Sequence, residues 1–262
     1  MRWSEPQRAM LREMGLRLWR PQTAAAPGLA SPGTTGPSHA PADEWAGSIK
    51  PKSDAPPIAA SGLALTAATM DWPALQSTVE SCRACSLCEN RRKTVFGVGH
   101  LRAQCMVVGE APGEQEDARG EPFVGDSGQL LDRMLRALGL SREATQPDDA
   151  ARQVFITNTV KCRPPRNRNP TGDELSACQP FLQRQVALVQ PKVIIAMGAF
   201  AARSLLGSDE PIGKLRGRMH RWRGVPVVVT YHPAYLLRQP ADKARAWEDL
   251  CLAATCLAPR AD

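Results

Sequence analysis

Four short apolar runs constrain this chain more than any other feature: Cys105–Val108, Val154–Thr157, Val193–Met197 and Val225–Thr230. Each has the length and the Val/Ile content of a buried strand, and the first three stop at Gly109, Asn158 and Gly198. Stretches with helical spacing separate them. One follows Ser127 (Leu130, Leu131, Met134, Leu135, Leu138), and others cover Thr171–Gln190, Ala199–Leu206 and Ala241–Leu257. Pro180 predicts a break in the second of these. Strands alternating with helices specify an α/β fold, a three-layer α/β/α sandwich with a central, mostly parallel four-stranded sheet.

The 262 residues hold one domain of about 200 residues plus an appendage. Trp72-Pro73 opens a helix running to Ser81, and the folded domain is expected at 70–258. Residues 1–20 read as a short amphipathic peptide, with Met10, Leu11, Met14, Leu16, Leu18 and Trp19 its apolar members. Residues 21–69, dominated by Pro, Ala, Gly, Ser and Thr, cannot bury enough surface to offset their ordering entropy and read as a disordered linker. There is no run of 18 apolar residues and no signal-peptide pattern, so a cytoplasmic monomer without a membrane segment is expected.

In a parallel sheet the residues just past each strand's carboxyl end share one rim, where open α/β sheets bind their ligands. Here these are Glu110, Asn158, Gly198 and His232. The first strand runs into a loop with Pro112, Gly113 and four acids (Glu110, Glu114, Glu116, Asp117), which closes at Phe123. An Asn carries both donor and acceptor for the edge of a nucleobase or similar ring. A His can stabilise negative charge developing on an oxygen, and a carboxylate can orient water or support a cationic sugar.

Of eight cysteines, Cys82-x2-Cys85, Cys162 and Cys178 make a set that the fold can bring together. Four thiolates suit either zinc or a [4Fe–4S] cluster, and spacing does not choose between them. Cys88 is surplus, while Cys105, Cys251 and Cys256 read as buried thiols. The formal charge of +7 favours a polyanionic partner. Two segments concentrate that charge without acidic neighbours in sequence: Lys161, Arg163, Arg166 and Arg168, and then Lys214, Arg216, Arg218, Arg221 and Arg223. Unmixed charge of this kind predicts phosphate contacts.

Gly109-Glu110-Ala111-Pro112-Gly113, Pro122-Phe123-Val124-Gly125, Thr157-Asn158 with Lys161-Cys162-Arg163-Pro164-Pro165, and His232-Pro233-Ala234-Tyr235-Leu236-Leu237 together resemble family 4 uracil-DNA glycosylases, the iron–sulfur members of their superfamily. The resemblance spans about residues 78–256. It implies hydrolysis of the N-glycosidic bond of deoxyuridine in DNA, releasing uracil and leaving an abasic site. It implies a [4Fe–4S] cluster on Cys82, Cys85, Cys162 and Cys178, acting as a structural staple. It places Phe123 against the uracil ring, Asn158 on its polar edge, His232 at O2, Glu110 with the attacking water, and Glu116 against the C5 edge to discourage thymine. Gly109, Ala111 and Gly198 add backbone contacts around the base. Leu236 falls at the wedge position, and Arg238 joins Arg163, Arg166 and Arg168 as an expected DNA contact. Glu114 and Asp117 are left as solvent or capping residues.

A related branch traps uracil covalently through a histidine in an arginine-rich insertion. Arg216–His220 is similar in composition but carries no added loop, so trapping by His220 is not expected. Residues Met14–Trp19 resemble the N-terminal peptide by which the psi subunit of DNA polymerase III grips the chi subunit, which predicts a replication partner for residues 10–20. The reading of a different class is a non-catalytic iron–sulfur or zinc DNA-binding module recruited through that peptide.

Overall fold

The computed structural model describes residues 66–143 and 151–257, with Arg12 by itself. The peptide expected at 1–20 and most of the linker expected at 21–69 lie outside the described residues. Residues 66–69 form a helical turn with Ala67 buried, so the folded unit begins before the expected Met70.

In chain order the elements are α1 (Trp72–Ser81), β1 (Val98–Gly99), β2 (Cys105–Gly109), α2 (Glu114–Arg119), α3 (Asp126–Ala137), β3 (Val154–Asn158), α4 (Gly172–Val189), β4 (Val193–Met197), α5 (Ala199–Leu206), α6 (Ile212–Leu215), β5 (Met219–Trp222), β6 (Val225–Thr230), α7 (Pro233–Arg238) and α8 (Lys243–Thr255). All four apolar runs become strands and pair in parallel in the order β3-β2-β4-β6. Two short strands widen the sheet to six: β1 lies antiparallel on β3 and β5 antiparallel on β6. β1 has two residues and β5 reads Met-His-Arg-Trp, so neither carries a periodic signal of its own.

Both faces of the central strands are apolar because helices cover both. Cys105, Val107, Ile156 and Ile195 face α3 and α8, packing with Leu131, Leu135, Trp247 and Leu250. Met106, Val108, Phe155 and Ile194 point the other way, toward Leu182 and Val186 of α4 and Ala202 and Leu205 of α5. A third cluster joins α1 to α4 through Leu75, Val79 and Phe181 and encloses Cys162 and Cys178.

Two local expectations give way to packing. The acidic loop after β2 contains a helix, α2, whose first turn carries Glu114, Glu116 and Asp117, where the helix dipole favours acids. α4 runs unbroken through Pro180. An interior proline costs roughly 3 kcal/mol, but Cys178, Phe181, Leu182 and Gln185 around it are all buried, and that packing holds the helix together.

α3 starts tight against the loop before it. A Cβ on Gly128 would lie 1.8 Å from the Phe123 carbonyl oxygen. Gly128→Ala is therefore expected to destabilise the domain by about 3 kcal/mol, the upper part of the overpacking range. The urea midpoint reads this directly, and an unchanged midpoint would show that the loop moves aside freely.

Candidate active site

The strand register builds the site. Gly109 pairs with Asn158 across β2 and β3, and Met197 with Thr230 across β4 and β6. The residues at or just past these ends, Glu110, Asn158, Gly198 and His232, line one cleft with Ala111, Glu116, Phe123 and Arg238. Its volume of about 690 Å³ suits a ligand of nucleotide size.

Asn158 is buried, and its Oδ1 has no hydrogen-bond partner among the described residues. A buried acceptor left open is costly unless a ligand completes it. The strand pairing keeps it in place only because position 109 is glycine. A Cβ there would lie 2.4 Å from Asn158 Oδ1 and 2.6 Å from the Phe123 ring. Gly109 is thus the space that Asn158 and Phe123 share; it does not itself line the cleft.

Phe123 holds a left-handed backbone conformation, φ 55°, which is strained for a bulky residue. Arg142 holds it there. The guanidinium donates to Pro122 O at 2.9 Å and Phe123 O at 3.2 Å, and is itself fixed by Asp132 and Glu121. No sequence pattern signals this clamp, because Arg142 lies 19 residues beyond Phe123. The Phe123 ring stacks on His232, with centroids 5.4 Å apart at 27°, so the two form one wall with no slot between them.

His232 caps α7, its Nδ1 accepting from Ala234 N–H at 3.2 Å. An accepting Nδ1 places the ring proton on Nε2, so the neutral ring is a donor. Burial, with Arg238 nearby, brings its pKa down to about 4. Glu110 is driven the opposite way, and burial raises its carboxyl to about 7. Each shift favours the neutral form, as removal from water requires.

Several expected residues take other places. Glu116 reaches the cleft wall, but its carboxylate accepts from Gly113 N, Val124 N and Gly125 N and ties the two loops together. Asp117 is buried rather than solvated and accepts from Arg92 N at 3.0 Å. Leu236, expected to be a wedge, is fully buried in the core, whereas Leu237 is 43% exposed. Pro233 and Leu236 are one turn apart on the inner face of α7, a spacing visible in the sequence. His220 lies on β5 with Nε2 2.7 Å from Leu215 O and does not line the cleft.

The basic segments are less unpaired than they read. Arg168 grips Glu174 through two bonds of 2.9 and 2.6 Å. Arg163 meets Glu114 and Arg216 meets Asp249, both partners distant in sequence, and Arg218 meets Glu210. Lys161 is fully buried. Arg166 is exposed on the 3-10 turn Pro165–Asn167, and Arg238 is exposed at the cleft.

Cys82, Cys85, Cys88, Cys162 and Cys178 line a separate small pocket with Arg91 and Lys161. Arg91 Nη1 donates to Cys162 Sγ at 3.1 Å. Among the described residues, no three His, Cys, Asp or Glu side chains are grouped tightly enough to hold a metal ion.

A doubly covered parallel sheet with this cleft at its carboxyl rim defines the class: the profile of the Uracil DNA glycosylase superfamily matches residues 96–251. The Type-4 uracil-DNA glycosylase of Pyrobaculum aerophilum is 40% identical over 191 residues, covering 70% of this chain and 93% of that protein. Its counterpart in Saccharolobus solfataricus is 43% identical over 180 residues, 65% of this chain and 79% of that protein. That of Thermotoga maritima is 44% identical over 169 residues, 64% and 83%. The chain belongs to the uracil DNA glycosylase superfamily, and within it to the Type-4 branch.

The geometry fixes one spectroscopic outcome. Nitrogen-15 NMR at neutral pH is expected to show His232 as the neutral Nε2–H tautomer, protonating only near pH 4. Titration at the ordinary histidine value of about 6.5 would contradict it.

Proposed function

We propose that the chain removes uracil from DNA by hydrolysing the N-glycosidic bond of deoxyuridine, leaving an abasic site. The observation that carries this reading is the open acceptor of Asn158, buried at the wall of a nucleotide-sized cleft. Uracil presents an N3–H donor beside its O4 acceptor, which match Asn158 Oδ1 and its amide nitrogen. Cytosine presents the reverse pattern, so the same amide rejects it.

The target nucleotide must leave the stack, at a cost of a few kcal/mol, and the pocket recovers this through ring contact and edge hydrogen bonds. Phe123 supplies the ring face. As the glycosidic bond lengthens, negative charge gathers on uracil and positive charge on the sugar. His232, neutral with its proton on Nε2, donates to uracil O2. Glu110 serves the sugar side, and its ionised form takes a proton from the attacking water. Ala111 and Gly198 border the base. Glu116, at the cleft wall, braces Val124 and Gly125 beside Phe123 and would face the ring's C5 edge.

Arg238 at the rim, with Arg163 and Arg166 on the loop after β3, supplies phosphate contacts, while Arg168 steadies that loop through Glu174. The exposed apolar tip beside His232 is Leu237, so insertion into the duplex falls to it rather than to Leu236.

The cysteine pocket is proposed to hold a [4Fe–4S] cluster on Cys82, Cys85, Cys162 and Cys178. An all-sulfur donor set shared by one pocket, facing Arg91 and Lys161, suits a thiolate-bound cluster, whose net charge is negative. When bound it would supply a cross-link from the end of α1 to the loop after β3 and to α4. Residues 10–20, by their likeness to the psi peptide, are the segment proposed to recruit a chi-type replication partner in the cytoplasm. A non-catalytic DNA-binding module would have no use for an open buried amide beside a carboxyl raised to about 7.

Release of free uracil from a labelled oligonucleotide tests the activity itself. Asn158→Ala is expected to lower excision about a thousandfold or more, with affinity for abasic-site DNA little changed. Normal excision by that variant would remove Asn158 from the base pocket. Glu110 loses its ability to accept a proton as pH falls through about 7, so the excision rate should fall on that acid side. Glu110→Gln should lose about a hundredfold in rate and flatten the profile. A wild-type rate unchanged across this range would rule out the carboxylate as proton acceptor.

A further inference from the structure

Lys161 is the least expected side chain in the molecule. It sits in a basic segment, yet it is 1% exposed. Its ammonium donates to Thr157 Oγ1 at 2.6 Å, Asn158 O at 2.7 Å and Gln185 Oε1 at 2.7 Å. All three acceptors are neutral. A buried ammonium without negative charge nearby is costly. The sulfurs of Cys178 and Cys162 lie within its electrostatic reach, and Lys161 lines the same pocket as the five cysteines. Thiolates bound to a metal keep net negative charge, whether the metal is a cluster or zinc. Arg91, bonded to Cys162 Sγ, is the second cation on that pocket.

The other side of Lys161 is the base pocket. Its nitrogen holds the carbonyl of Asn158, and Thr159 and Val160 between them bond to the backbone of Gly109 and Glu110. Thr159 Oγ1 donates to Glu110 O at 2.6 Å. Gln185 and Thr157 are anchored in turn on Phe96 O at 2.9 Å each. One turn of chain thus carries Asn158, the support of Glu110, and a cysteine of the metal pocket.

We propose that Lys161 is a positioning residue that couples the cysteine pocket to uracil recognition. Its buried charge balances the metal-bound thiolates, and its hydrogen bonds fix the segment that presents Asn158 and Glu110. This rests on the base-reading role assigned to Asn158 above. It gives the metal site a task beyond cross-linking: loading it holds the ammonium in place, and the ammonium holds the reading edge.

Lys161→Met and Lys161→Arg separate the two arms. Each metal-loaded variant is compared with wild type for excision, for affinity toward abasic-site DNA, and for metal content and visible absorption over time in air. Lys161→Met is expected to lose its metal several-fold faster than wild type. Its kcat for excision should fall about a hundredfold, the usual cost of misplacing a binding group by an ångström, with abasic-site affinity retained. Lys161→Arg keeps the charge but not the compact donor geometry, so metal retention should return while excision stays low. Wild-type excision by Lys161→Met, or an unchanged metal lifetime, would overturn the proposal. If Lys161→Met does not fold, Gln185→Met removes one acceptor and spares the charge; it should slow excision with metal retention unchanged, and normal excision would be fatal to the idea. Failure of wild type to release uracil would refute the activity instead, and a shortened metal lifetime in Lys161→Met would still stand.

Discussion

The site depends on the close parallel pairing of β2 and β3 at Gly109 and Asn158. With no side chain at 109, the Asn158 amide and the Phe123 ring occupy the space where a Cβ would be. Everything else at the rim is arranged around that contact. Arg142 keeps Phe123 in a backbone conformation that a phenylalanine rarely adopts, and Gly128 leaves room for its carbonyl. His232 stacks behind the ring, held by its own cap on α7.

Desolvation then sets the chemistry. The same cleft raises Glu110 to about 7 and lowers His232 to about 4. Near neutral pH this leaves a histidine that donates without charge and a carboxyl poised between its two forms, as the proposed mechanism asks of them. The cysteine pocket and the rim cleft are separate cavities; Lys161 lines the first and bonds the backbone carbonyl of Asn158, which lines the second. A buried charge of this sort is destabilising unless its surroundings satisfy it, which is the physical basis of the coupling proposed for Lys161.

The surface charge follows a different rule. Residues that form runs of one sign along the chain meet partners of the opposite sign in space: Arg168 with Glu174, Arg216 with Asp249, Arg163 with Glu114. Among the described residues, Arg166 is exposed on the loop next to the cleft, and Arg238 is exposed on the cleft itself.

By itself the sequence determined the four parallel strands of the sheet and their rim. Uninterrupted Val/Ile runs bury on both faces, and the residue at the end of such a run must lie at the carboxyl edge, so Glu110, Asn158, Gly198 and His232 were legible as neighbours. Tertiary structure alone decided what burial did to individual polar groups. Lys161 and Arg163 have similar surroundings in sequence, yet one is sealed inside and the other is at the surface, because only the packing of α4 on β3 closes over the former. Leu236 and Leu237 differ only in which side of a short helix they occupy, and Pro180 passes through α4 because the core around it outweighs one lost bond. Period and composition report which segments go inside. They do not report which charged atom goes in with them, since that depends on partners brought together from distant parts of the chain.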